Sequence, residues 1–119
     1  ERRCGMQVNG TALRMIRGDS EAITVKVTDR KGKVMPLVTG DTVYFTVKGS
    51  AYDTEYVLQV IVTEFGDDGS ALIAIRPEDT KDLAFGALVY DVQVTFEDET
   101  VKTVIPPSPF VIGEEVTYD

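Results

Sequence analysis

Gly86-Ala87-Leu88-Val89-Tyr90-Asp91-Val92-Gln93-Val94-Thr95-Phe96-Glu97 decides the fold. Leu88, Tyr90, Val92, Val94 and Phe96 share one face, and Asp91, Gln93, Thr95 and Glu97 share the other. A period of two specifies a β-strand with one buried and one wetted face. Slipping its register by one residue would drive Asp91 and Glu97 into the core, so the register is strongly specified.

The same alternation recurs outward from this stretch. Thr42-Val43-Tyr44-Phe45-Thr46-Val47-Lys48 predicts a strand with Val43, Phe45 and Val47 inward. Thr11 to Ile16, Ile23 to Thr28 (Ile23, Val25 and Val27 inward), Tyr56 to Phe65, Ser70 to Ile75 and Thr100 to Ile105 read as further strands. Val34 to Val38 reads as extended, with Pro36 placing it at an edge. Arg17-Gly18-Asp19-Ser20, Asp29 to Lys33, and Glu97-Asp98-Glu99 read as turns, with Gly32 at a positive φ. Gly66-Asp67-Asp68-Gly69 is the strongest hairpin signal. Pro77 opens an acid-rich break that predicts a helical turn near 78–83, with Leu83 folding back to the core. Pro106-Pro107-Ser108-Pro109 reads as a stiff joint before a terminal strand at Phe110-Val111-Ile112. Seven to eight short strands with regular turn signals predict an all-β, antiparallel β-sandwich.

Length and composition set the frame. A chain of 119 residues suits a single domain over 1–119, with a loosely ordered lead-in at 1–10 and an acidic tail at 113–119. Its 43% hydrophobic content supports one core without staples. The net charge of −8 disfavours nucleic acid and anionic membranes as partners. No run reaches the ~20 apolar residues of a membrane span.

Few residues suggest chemistry. The absence of histidine removes Ser-His-Asp triads and most catalytic zinc sites. Cys4 is the only cysteine, so neither an internal disulfide nor a cysteine-rich metal site is available. The turn acids Asp29, Asp41, Asp67, Asp68, Asp98 and Glu99 have no spacing of a calcium loop and read as solvated turns. Asp91 and Glu97 share a strand face but stand about 20 Å apart at strand rise, too far for glycoside chemistry. Arg17-Gly18-Asp19-Ser20 matches an integrin-binding tetrapeptide, yet Gly and Asp are ordinary turn residues. The expectation is a non-enzyme with no catalytic residue, metal or cofactor. Tyr44, Tyr52 and Tyr56, around the Gly49–Thr54 loop, are the candidate partner-contact residues, because exposed tyrosines suit protein or sugar contacts.

Several blocks in order carry a resemblance. They are Arg17-Gly18-Asp19-Ser20, Val25-Lys26-Val27-Thr28-Asp29, Gly40-Asp41-Thr42-Val43-Tyr44-Phe45-Thr46-Val47-Lys48, Ile75-Arg76-Pro77-Glu78-Asp79-Thr80-Lys81-Asp82-Leu83, Tyr90-Asp91-Val92-Gln93-Val94-Thr95, and Pro107-Ser108-Pro109-Phe110-Val111-Ile112. From Arg14 to Val116 the chain resembles small immunoglobulin-like domains of phages and prophages of Gram-positive bacteria. In plan it is similar to the N-terminal domain of phage baseplate upper proteins. That resemblance implies an immunoglobulin-like virion structural module of baseplate or tail, assembled in the host cytoplasm. It implies other virion proteins as partners and no cofactor, and because ring assemblies are symmetric a homo-oligomer is a further expectation. The chain departs from antibody-type domains: it has no tryptophan and no cysteine pair, and Leu88 stands near the usual corner tyrosine, with Tyr90 two residues later. The alternative expectation is a bacterial surface adhesin or carbohydrate-binding module.

Overall fold

The long alternating stretch folds as a strand in the interior of a six-stranded sheet. The structure, a computed structural model, describes residues 7–9, 12–28, 31–50, 52–81 and 86–113. The strands are β1 (Gln7–Asn9), β2 (Ala12–Ile16), β3 (Glu21–Val25), β4 (Thr42–Lys48), β5 (Leu58–Val62), β6 (Ala71–Ile75), β7 (Gly86–Thr95) and β8 (Val101–Gly113). One helical turn, α1 (Pro77–Thr80), joins β6 to β7. The large sheet has the order β1-β2-β8-β7-β4-β5, and β3 and β6 form the second. This is an all-β sandwich. With β3 and β6 as strands B and E, and β4, β5, β7 and β8 as C, C′, F and G, its strand placement is immunoglobulin-like.

Alternation places the core. Val43, Phe45 and Val47 of β4 and Tyr90, Val92 and Val94 of β7 are all buried. Leu88 and Phe96 pack against the same core while remaining partly exposed. From the facing sheet come Val25, Ala71, Ile73 and Ile75; Val27 is buried beyond the end of β3, and Ile23 is only partly covered. The middle of the core is aromatic. Phe45 lies 5.4 Å from Tyr90 and 6.0 Å from Phe110, and Tyr90 lies 6.1 Å from Phe110, ring centre to ring centre. Two of the three contacts are edge-to-face, the geometry favoured by the ring quadrupole.

Several expectations are corrected. The sheet is not wholly antiparallel: β2 pairs with β8 in parallel, Leu13 opposite Phe110. Strands from opposite ends of the chain can pair in parallel, because most of the domain serves as the crossover between them. Part of the lead-in is ordered as β1, which pairs with β2. The hairpin signal at Gly66–Gly69 closes a real turn, Gly66 N–H donating to Ser70 O at 3.0 Å, yet it joins β5 and β6, which belong to different sheets. The turn docks on residues 36–37 instead, with Leu37 N–H donating to Gly69 O at 3.0 Å. A side chain at Gly69 would begin 2.4 Å from Pro36 Cβ, and its φ is +77°. Val34 to Val38 forms no strand; it makes one bridge, Thr28 to Val34, and Met35 N–H donates to Val27 O. Residues 35–37 thus link the segment after β3 to the turn before β6, with Leu37 buried.

Pro106 to Pro109 is no joint between strands. It lies inside β8, which runs unbroken for 13 residues. Register against β7 slips between Tyr90 and Val92 and again between Val92 and Gln93. Pro106 and Pro107 fall in the first slip, where the ladder requires no N–H from them. The helical turn is Pro77–Thr80 rather than 78–83; Asp79 accepts the Arg76 N–H at 2.8 Å and Lys81 N–H returns to Pro77 O. Leu83, Asp29 and residues 114–119 lie outside the described residues.

Burial pushes the Tyr90 phenol up to about 12 from an ordinary value of 10.0. Above pH 10.0 the unfolded chain ionises this group while the folded one does not, so its contribution to stability is lost as pH climbs toward about 12. The Tyr90→Phe variant should therefore lose less stability than the native chain over that range, as read by thermal melts at successive alkaline pH values. Equal alkaline slopes would contradict the burial of Tyr90.

Candidate functional site

The outer face of the large sheet is laid out in rows. Tyr44 of β4 stands between Ile61 of β5 and Gln93 of β7, and the next row holds Gln59, Thr46 and Asp91. Gln59 Nε2 donates to Thr46 Oγ1 at 3.1 Å, and Gln93 Nε2 donates to Thr103 Oγ1 at 3.4 Å. Tyr44 is half-buried in this array, and Ile61 beside it is 54% exposed.

The three candidate tyrosines do not form one cluster. Tyr52 is 94% exposed in the β4–β5 loop, and Tyr56 is 56% exposed just before β5. Tyr44 lies four residue steps, about 13 Å, from Lys48 at the loop end of β4. The loop is braced by Asp53, which accepts from Ser50 N–H at 3.1 Å and from Ser50 Oγ at 3.1 Å. Val57 N–H donates to Val47 O at 2.8 Å and closes it onto β4. Tyr52 and Tyr56 thus project from a braced loop, whereas Tyr44 belongs to the sheet face.

Two of the turn acids, Asp68 and Asp98, are spent on their own turns. Asp68 accepts from Ser70 N–H at 3.1 Å and Ser70 Oγ at 2.7 Å. Asp98 does the same with Thr100, at 3.0 Å and 2.6 Å. These bonds hold both carboxyls below their ordinary value. The residue between acid and hydroxyl is left-handed in each turn: Gly69 at φ +77° and Glu99 at φ +74°. Among the described residues no group of three or more His, Cys, Asp or Glu gathers as a metal site. Asp91 sits by Lys48, Thr46 and Pro107 at a small cleft of about 40 Å³; burial raises its carboxyl and Lys48 opposes that rise. Glu97 lies past the end of β7, so the structure does not bring the two together. The Arg17–Ser20 turn is anchored rather than projecting: Arg17 N–H donates to Gly113 O at 3.0 Å and Gly18 N–H to the buried Thr80 Oγ1 at 2.9 Å.

Sequence reasoning missed two features. Asp41 reads as a solvated turn acid, but it is buried and accepts the Val38 N–H at 2.9 Å and the Glu97 N–H at 3.0 Å. It joins the loop before β4 to the turn after β7. Beside it opens a groove of about 480 Å³, floored by Met35, Pro36, Val38 and Phe96 and edged by Glu97 and Asp98. Lys102 is the second. Its register partner Val94 faces inward, and its Nζ donates to Thr28 O at 2.9 Å, tying β8 to the segment after β3. No alternation rule marks either residue, because both act through loops distant in sequence.

Replacing Asp41 by Ala strands two backbone N–H groups and should cost about 2–3 kcal/mol in chemical denaturation. A loss within the error of the measurement would contradict the buried bridging role. Comparison with protein-family models, with curated proteins and with solved structures finds no match.

Proposed function

We propose that the domain is a structural module of a phage or prophage virion, at the baseplate or tail, acting by protein–protein assembly. The carrying observation is the ordered set of blocks from Arg17-Gly18-Asp19-Ser20 to Pro107-Ser108-Pro109-Phe110-Val111-Ile112, which resembles phage immunoglobulin-like domains. The arrangement of polar groups supports the reading. Asp41, Asp53, Asp68 and Asp98 each accept hydrogen bonds within the scaffold. Exposed apolar surface lies on or beside β5 at Ile61, Tyr52 and Tyr56, with the half-buried Tyr44 of β4 next to Ile61. Sheet edges and exposed aromatic side chains are the ordinary material of protein–protein contacts. In this reading the chain is assembled in the cytoplasm of a bacterial host, with other virion proteins as partners.

Particles induced from the encoding host and banded on a density gradient should contain peptides of this chain in stoichiometric amount by mass spectrometry. Tyr44→Asp should lower that amount while leaving the melting of the isolated domain unchanged. Absence from intact particles, with the protein at the cell surface and saturable binding of wall polysaccharide, would overturn the reading in favour of an adhesin or carbohydrate-binding module.

A further inference from the structure

β5 ends the six-stranded sheet and pairs on one side only, with β4. Among the described residues no backbone hydrogen bond reaches its other edge. Such an edge is a row of unfilled donors and acceptors, and proteins blunt it with brevity, charge or proline. β1, at the opposite end of the sheet, is three residues long. β5 has no such guard: Val57-Leu58-Gln59-Val60-Ile61-Val62 contains no charge, proline or glycine and is rich in β-branched residues. Val57 and Ile61 leave 46% and 54% of their surface exposed. β6 is uncharged too and pairs on one side only, with β3; it packs against β5 within the domain, and among the described residues no backbone hydrogen bond joins the two.

We propose that the free edge of β5 pairs antiparallel, about a two-fold axis, with β5 of a second copy of this chain. The sequence of the edge is complementary to itself. Keeping the buried faces of both copies on one side allows only pairs of like parity. Centring on Val60 sets Leu58 opposite Val62, Gln59 opposite Ile61 and Val60 opposite Val60, so every facing pair is neutral. The flanking acids do not meet: Glu64 falls opposite Tyr56, and Glu55 opposite Phe65. Across the joined sheets each Tyr44–Ile61 row then continues into the Gln59–Thr46 row of the second copy.

Two physical consequences follow from charge and size. Each copy carries −8, so the copies repel in dilute buffer. Screening contracts to ~8 Å at physiological ionic strength, and association strengthens with salt. A five-residue ladder is a small interface, which makes the dimer weak and strongly concentration-dependent. The pairing goes beyond the assembly reading and stands on the edge of β5 alone.

Sedimentation velocity on the full chain, over a concentration series and at low and moderate salt, tests it. A monomer–dimer equilibrium that tightens with salt is expected. Gln59→Lys with Ile61→Lys sets like charges opposite one another across the two-fold, and so does Gln59→Glu with Ile61→Glu; each double variant should be monomeric. Mixing the two should restore a dimer, because Lys then faces Glu at both positions. If a double variant fails to fold by circular dichroism, Ile61→Lys alone, a lysine on the otherwise uncharged edge, should still weaken the dimer, and Leu72→Lys on β6 should leave the dimer intact. A chain monomeric throughout, a dimer retained by both like-charged variants, or folded variants that do not pair on mixing would overturn the proposal. A monomeric chain found in particles would overturn this pairing and leave the assembly reading standing.

Discussion

Phe45, Tyr90 and Phe110 meet at the centre of the sandwich, one each from β4, β7 and β8, and the remainder of the structure depends on that contact. With a single cysteine the chain has no internal disulfide to pin its sheets together. Burying each large apolar side chain contributes roughly 1.5–3 kcal/mol, and the aromatic pairs add about 0.5–1.5 kcal/mol beyond area. The three rings also fix register. Moving β7 by one residue would replace Tyr90 with Asp91 or Val89 and send a charged or outward-facing position into the junction. Once β7 is set, β4 and β8 follow on either side, and the outer rows at Tyr44 and Thr46 follow from β4.

Several of the acids have a structural role. Carboxylates sit where backbone N–H groups need acceptors, at turns and at the first turn of α1. Asp41 takes this furthest, joining two loops 56 residues apart from a buried position. These acids stabilise the scaffold by hydrogen bonding.

Much of this architecture is legible in the residues. β4 matches its alternating stretch from Thr42 to Lys48, β7 buries Tyr90, Val92 and Val94 as its periodicity selects, and β6 buries Ile73 and Ile75. The failures share a cause: local chemistry does not encode distant partners. Gly66-Asp67-Asp68-Gly69 specifies a tight turn but not that its flanking strands join different sheets. Pro106 and Pro107 read as an interruption because single-strand reasoning has no place for a bulge in a paired strand. The candidate surface was legible in part. Tyr44 faces away from the core as alternation requires, and Tyr52 and Tyr56 are exposed, but loop length alone does not say that Tyr44 stands apart from them. The open edge of β5 becomes visible only with the strand order.

β7 is the organising strand and β5 an open edge of the same sheet. Native-state hydrogen exchange, resolved by residue, tests both at once. Amides from Tyr90 to Val94 should exchange only through global unfolding, while the outward-pointing amides of Leu58–Val62 exchange faster by local opening at high dilution. Slowest exchange in β3 and β6, with β7 opening early, would contradict the account.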